Sequence, residues 1–78
     1  MKEITVLPFG AVAEVLGQSN LKLANLSSTD ELKQQLERDY PALKTIPYAI
    51  AVNKQLVNAS ASLEHNDTVA LLPPFSGG

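Results

Sequence analysis

Apolar and polar positions alternate with strand period in several short stretches of the chain, and two other stretches carry helical spacing. Ile4-Thr5-Val6-Leu7 puts Ile4 and Val6 on one face and Thr5 and Leu7 on the other, as a strand does. Pro8 has no N–H to give a ladder and predicts the end of that strand. Gly10 to Leu16 reads as a short helix closed by Gly17, and Leu21-Lys22-Leu23 as a second strand. The clearest helix is Thr29 to Asp39. Ser28 is a fitting N-cap, Glu31 completes a capping box, and Asp30 and Glu31 place negative charge at the positive end of the dipole. Leu32, Leu36 and Tyr40 recur at i, i+4 and i+8 as one apolar stripe, Pro41 stops the helix, and Leu43 and Ile46 extend its cover.

Beyond it, Tyr48, Ile50 and Val52 alternate with Ala49 and Ala51, so the three larger side chains are expected to face inward. Asn53-Lys54-Gln55 reads as a tight turn into Leu56-Val57, which makes a hairpin. Ala59 to Leu63 is expected to be a loop with one helical turn. Asn66-Asp67 turns the chain into a last strand, Thr68 to Leu72. This order predicts an α+β domain over residues 1–72, in which one main helix covers one face of a mixed sheet. The first and last strands are expected side by side and parallel at its centre. Val69 and Leu71 should then face the helix. Thr68, Ala70 and Leu72 should face away, with Leu7 beside them on the first strand.

Composition narrows the chemistry. Seventy-eight residues make one domain with one modest core. With no cysteine, the chain can form no disulfide, thiolate metal site or cysteine nucleophile. A net charge of −2 with six scattered basic residues argues against nucleic acid. The start of the chain has no signal-peptide pattern and no apolar run of bilayer length occurs, so the expectation is a cytoplasmic protein with no membrane partner. Asn25-Leu26-Ser27 and Asn58-Ala59-Ser60 match the glycosylation sequon, which we read as chance in that setting.

The last six residues, Pro73-Pro74-Phe75-Ser76-Gly77-Gly78, carry the most distinctive pattern. Two prolines favour an extended stem. Gly77 and Gly78 remove every side chain from the end, so the terminal carboxylate is expected to be flexible enough to thread a narrow cleft. Residues 73–78 therefore read as an extended, reactive tail on the domain. Other candidates are weaker. His65 with Glu64 and Asp67 nearby is a solvated polar turn before it is a metal site. Asp30, Glu31 and Glu37 lie on the open face of a capped helix, and the single histidine has no evident nucleophile. No Gly-Lys-Ser/Thr phosphate loop is present. No cofactor or metal is therefore expected on this chain.

Two segments carry a family resemblance: Ala51-Val52-Asn53-Lys54-Gln55-Leu56-Val57, and, with more specific spacing, Asn66-Asp67-Thr68-Val69-Ala70-Leu71-Leu72-Pro73-Pro74-Phe75-Ser76-Gly77-Gly78. With the element order, they resemble the ubiquitin-like β-grasp proteins and, among them, the small subunits of molybdopterin synthase, the sulfur carriers of molybdenum cofactor biosynthesis. The family usually has two aromatics and an Arg-bearing short helix after the first strand. Here Leu7-Pro8-Phe9-Gly10-Ala11-Val12-Ala13-Glu14 has one aromatic and no arginine.

The resemblance implies a chain that is not catalytic by itself and serves as the sulfur-donating subunit of a sulfurtransferase. Gly78 would be adenylated by an E1-like activating enzyme that uses ATP, converted to a thiocarboxylate, and presented to cyclic pyranopterin monophosphate inside the large subunit. Gly77 would give access. The assembly implied is a heterotetramer of two small and two large subunits. Partner contacts carried over from the family fall at Phe9, Leu56 and Leu72 and along Pro73, Pro74, Phe75 and Ser76. A sulfur carrier of another pathway, such as thiazole synthesis or thio-modification, a ubiquitin-like modifier of lysines, and a β-grasp module with an inert tail remain open alternatives.

Overall fold

The computed structural model describes residues 2–57 and 59–73; Met1, Asn58 and the tail residues 74–78 lie outside the described residues. Its elements run β1 (Glu3–Pro8), α1 (Gly10–Leu16), β2 (Leu21–Ala24), α2 (Thr29–Asp39), a 3-10 turn (Pro41–Thr45), β3 (Ala49–Val52), β4 (Gln55–Val57) and β5 (Thr68–Leu72). The five strands form one mixed sheet in the order β2-β1-β5-β3-β4. β1 and β5 pair in parallel at its centre, with Thr5 opposite Thr68 and Pro8 opposite Leu71. All other pairings are antiparallel.

Local chemistry accounts for the elements. The Ser28 hydroxyl accepts the Glu31 N–H at 3.3 Å, and Glu31 Oε1 reaches back to accept the Ser27 N–H at 2.8 Å. That pair satisfies two amides around the helix start, where no preceding turn can. Leu32 and Leu36 are buried on the sheet side of α2. With Ile4, Val6, Val12, Leu16, Leu26, Leu43, Leu63, Val69 and Leu71 they form the core. The expected parity of β3 holds: Ile50 stands opposite Leu71 and Val52 opposite Val69, all packed into that core. Gly17 closes α1 at φ 71°, and its N–H donates to the Ala13 carbonyl at 2.8 Å.

Two expectations need correction. β1 does not stop before Pro8 but includes it, and Pro8 is buried. Thr5 on β1 and Phe9 just past its end donate their N–H groups toward the β5 side, to the Asp67 and Leu71 carbonyls, so the N–H of Pro8's position would point the other way, toward β2. The register of β2 ends with Leu21 opposite Val6, leaving no ladder there for a proline to interrupt. Nor does the segment from Ala59 to Leu63 make a helical turn. It is extended and strapped to the start of α2: Ser62 bridges Ser28, the Thr29 N–H donates to the Ala61 carbonyl, and the Leu63 N–H donates to the Ser27 carbonyl, both at 2.9 Å. Thr29 Oγ1, buried, accepts the Ala61 N–H, which satisfies that side chain.

Candidate functional site

The face of the sheet away from α2 carries a groove of about 530 Å³, and the register shows how it is made. Leu7 lies opposite Ala70, Ala70 opposite Ala51, and Ala51 opposite Leu56. One row across four strands therefore reads large, small, small, large. The two alanines form a floor and the two leucines stand as walls. Ala51, although on the outer face, is nearly buried because its neighbours rise above it. Phe9 and Leu72 close the groove at the end where β1 and β5 finish, while Asn53, Lys54 and Thr68 make the opposite end polar. Among the described residues, Phe9 and Leu56 are the large hydrophobic side chains most open to solvent, at 46% and 67% exposure. Apolar area of this kind, exposed and contiguous, marks a contact surface more often than a chance of packing.

The polar end is built rigidly. Asn53 and Lys54 form the hairpin turn with φ of 50° and 74°, the left-handed pair that a two-residue turn between twisted strands requires. Asn53 then ties this turn to the start of β5. Its Oδ1 accepts the Thr68 N–H at 3.0 Å, and its Nδ2 donates to Asp67 Oδ1 at 2.9 Å. Asp67 Oδ2 accepts the Glu64 N–H at 2.8 Å. That backbone N–H and then Asn53 hold the Asp67 carboxyl below its ordinary range, against an opposing cost of burial that is larger than the help from the Lys2 charge.

Of the residues singled out in the sequence, Phe9, Leu56 and Leu72 are brought together in this groove, and Pro73 follows directly at its edge. Pro74, Phe75, Ser76, Gly77 and Gly78 lie outside the described residues. Sequence reading did not single out Ala51, Ala70 or Lys54 as groove residues, although strand parity places both alanines on the outer face. Two of the remaining polar candidates, His65 and Glu37, have structural partners. His65 Nδ1 accepts the Glu3 N–H at 3.0 Å. Glu37 accepts the Tyr48 hydroxyl at 2.8 Å, and burial followed by that carboxylate raises the Tyr48 phenol well above its usual range. Among the described residues no helix is long and apolar enough to cross a membrane.

Residues 6–78 match the model of the ThiS family. The chain belongs to the ThiS family. It is 32% identical to the molybdopterin synthase sulfur carrier subunit of Arabidopsis thaliana, over 97% of this chain and 83% of that protein. Among solved structures, the small archaeal modifier protein 1 of Methanosarcina acetivorans superposes with a TM-score of 0.85 at 24% identity, covering 100% of this chain and 98% of that one. At that identity the likeness speaks for the ubiquitin-like β-grasp fold alone. A chain from the complex of subunits 1 and 2 of the molybdopterin-converting factor of Helicobacter pylori is 28% identical, with a TM-score of 0.74 and coverage of 97% and 99%.

Proposed function

We propose that this chain is the sulfur carrier subunit of a molybdopterin synthase and that the Gly78 carboxyl group carries the sulfur. The observation that supports this most is that the family match runs through Gly78 itself, in a chain whose curated relative at 32% identity is a molybdopterin synthase sulfur carrier subunit. An α-carboxyl group has a pKa of about 3.5 and is ionised at neutral pH, which makes it a poor electrophile. Attack of its oxygen on the α-phosphorus of ATP, catalysed by an E1-like activating enzyme, gives an acyl-adenylate and releases pyrophosphate. A sulfide equivalent then displaces AMP and leaves a thiocarboxylate at Gly78. Inside the large subunit that sulfur is donated to cyclic pyranopterin monophosphate.

On this reading the chain binds no cofactor of its own, and the enzymes that activate or consume the tail supply the ATP and pterin sites. The groove lined by Leu7, Phe9, Leu56 and Leu72 is the surface on which those partners grip the domain, with Pro73 to Ser76 leading the carboxyl group into their active sites. The small and large subunits assemble in the cytoplasm as a heterotetramer. The test is an intact-mass measurement on protein incubated with ATP, a sulfur donor and an activating enzyme, followed by addition of the large subunit and the pterin. The mass of one sulfur in place of one oxygen at Gly78, lost when the pterin product forms, is the expected result. Isopeptide conjugates on lysine, or transfer to a thiazole precursor alone, would replace this reading with the modifier or the thiazole carrier.

A further inference from the structure

We propose that Gly10 is a positioning residue for the terminal carboxyl group: its missing side chain forms the seat that receives the Pro73 ring and sets the line along which the tail leaves the sheet. The inference rests on the carrier reading for its functional meaning and on local geometry for the seat. A Cβ built on Gly10 would lie 2.9 Å from Pro73 Cγ, with Pro73 Cβ and Cδ at 3.6 and 3.7 Å. The first distance is closer than carbon atoms tolerate, so a side chain at position 10 would have to displace the ring.

Backbone conformation alone does not explain this glycine. Gly10 has φ 56°, but the same chain adopts positive φ at Asn25, Asn53, Lys54 and Asn66, all with side chains. Gly17 is the internal comparison. It too has positive φ, yet nothing lies within 4 Å of its would-be Cβ. Gly17 answers a need of the backbone, and Gly10 answers a need for space as well.

The seat sits where it can govern direction. β1 and β5 finish together, with Pro8 opposite Leu71 and the Phe9 N–H donating to the Leu71 carbonyl at 3.0 Å. Pro73 is two residues beyond that clamp, and its ring has little freedom in φ. Gly78 is the fifth residue beyond it, a reach of at most ~17 Å when drawn out. A change of about 15° at the root moves the end by about 4 Å over that reach. Displacements far smaller than this slow reactions that depend on orientation.

The experiment is a cycle of Gly10→Ala, Pro73→Ala and the double variant, with Gly17→Ala as a control for left-handed strain. Thiocarboxylate formation is followed at varied carrier concentration. Gly10→Ala should reduce kcat/KM at least tenfold while lowering Tm no more than Gly17→Ala does. Pro73→Ala, which removes the Cγ that an alanine at position 10 would strike, should restore most of that loss in the double variant. Equal rates for Gly10→Ala and Gly17→Ala, or independent losses that multiply in the double variant, would overturn the proposal. A second readout needs no activity. The chain has no cysteine, so a nitroxide on Ser76→Cys is a unique label. Its relaxation effects across the sheet should shift in Gly10→Ala and return with Pro73→Ala, and an unchanged pattern would overturn the seat. If wild-type protein is never thiocarboxylated, the carrier reading fails and the label still decides the seat.

Discussion

Val69 and Leu72 lie three residues apart on one strand and face opposite ways, so the same substitution at each should have opposite consequences. Val69 is fully buried, between Val6 on β1 and Val52 on β3. Val69→Glu removes a side chain whose burial is worth about 1.5–3 kcal/mol. The new carboxyl group must also stay neutral in the core. From an ordinary pKa near 4.3, that costs about 3.7 kcal/mol at pH 7. The sum, about 5–7 kcal/mol, compares with a total stability of about 4–12 kcal/mol for a domain of this size. Val69→Glu should therefore lose much or all of the domain's stability at pH 7. Relative to wild type it should recover about 3 kcal/mol at pH 4, because the raised pKa of a buried acid makes its penalty fall with pH. Leu72 is half-buried on the groove side. Leu72→Glu gives up about 1 kcal/mol of burial, or a Tm drop of about 4–8 °C. Against the large subunit the same change should cost at least about 2 kcal/mol, a rise in Kd of about thirtyfold. Thermal melts by circular dichroism at both pH values and titration calorimetry with the large subunit measure all three numbers. A Val69→Glu protein that melts within a few degrees of wild type at pH 7 would refute the accounting for the core. Normal binding by a folded Leu72→Glu would refute the groove as the docking surface.

Three further outcomes are expected. Deleting Gly78 should abolish thiocarboxylate formation and leave the melting curve unchanged, since every core residue lies between Ile4 and Leu71; mass spectrometry and circular dichroism check the two halves. Gly77→Val should slow activation or transfer without a change in Tm, because a β-branched side chain widens the segment that must enter a narrow cleft, and single-turnover rates of each step report it. Asp67 has a lowered carboxyl pKa in the fold, so its ionised form stabilises the domain above the ordinary carboxylate pKa of about 3.9, and that contribution is lost as pH falls through the lowered value. The Tm gap between wild type and Asp67→Asn should be widest at neutral pH and close in strong acid, and a gap independent of pH would contradict the assignment.

Much of the architecture is legible in short-range signals. Ser28 with Glu31, the Leu32-Leu36-Tyr40 stripe and Gly17 each specify an element boundary or a buried face through contacts within a few residues. Parity along β1 and β5 likewise identifies the outer face on which Leu7 and Leu72 sit. What could not be read depends on partners far away in sequence. Pro8 is tolerated in a strand only because β2 ends before reaching it. Ala59 to Leu63 is extended because Ser27, Ser28 and Thr29, more than thirty residues earlier, supply its hydrogen bonds. Ala51 and Ala70 become the floor of a groove only when four strands are in register. The contact between Gly10 and Pro73 joins two residues whose composition hints at turns and nothing more.

The central pairing of β1 with β5 also sets the order in which the molecule can be made. β2 can cover one side of β1 early, but on its other side Thr5 finds a partner only at Thr68, so the first strand to be synthesised waits for the last before the middle of the sheet can close. Contacts of such separation carry a large loop-closure cost and are made late. During synthesis the groove cannot exist, because Leu7 and Phe9 come from the start of this cycle and Ala70 and Leu72 from its end. A partner that gripped the groove would thus recognise closure itself. Such a partner would tell a closed sheet from an open one.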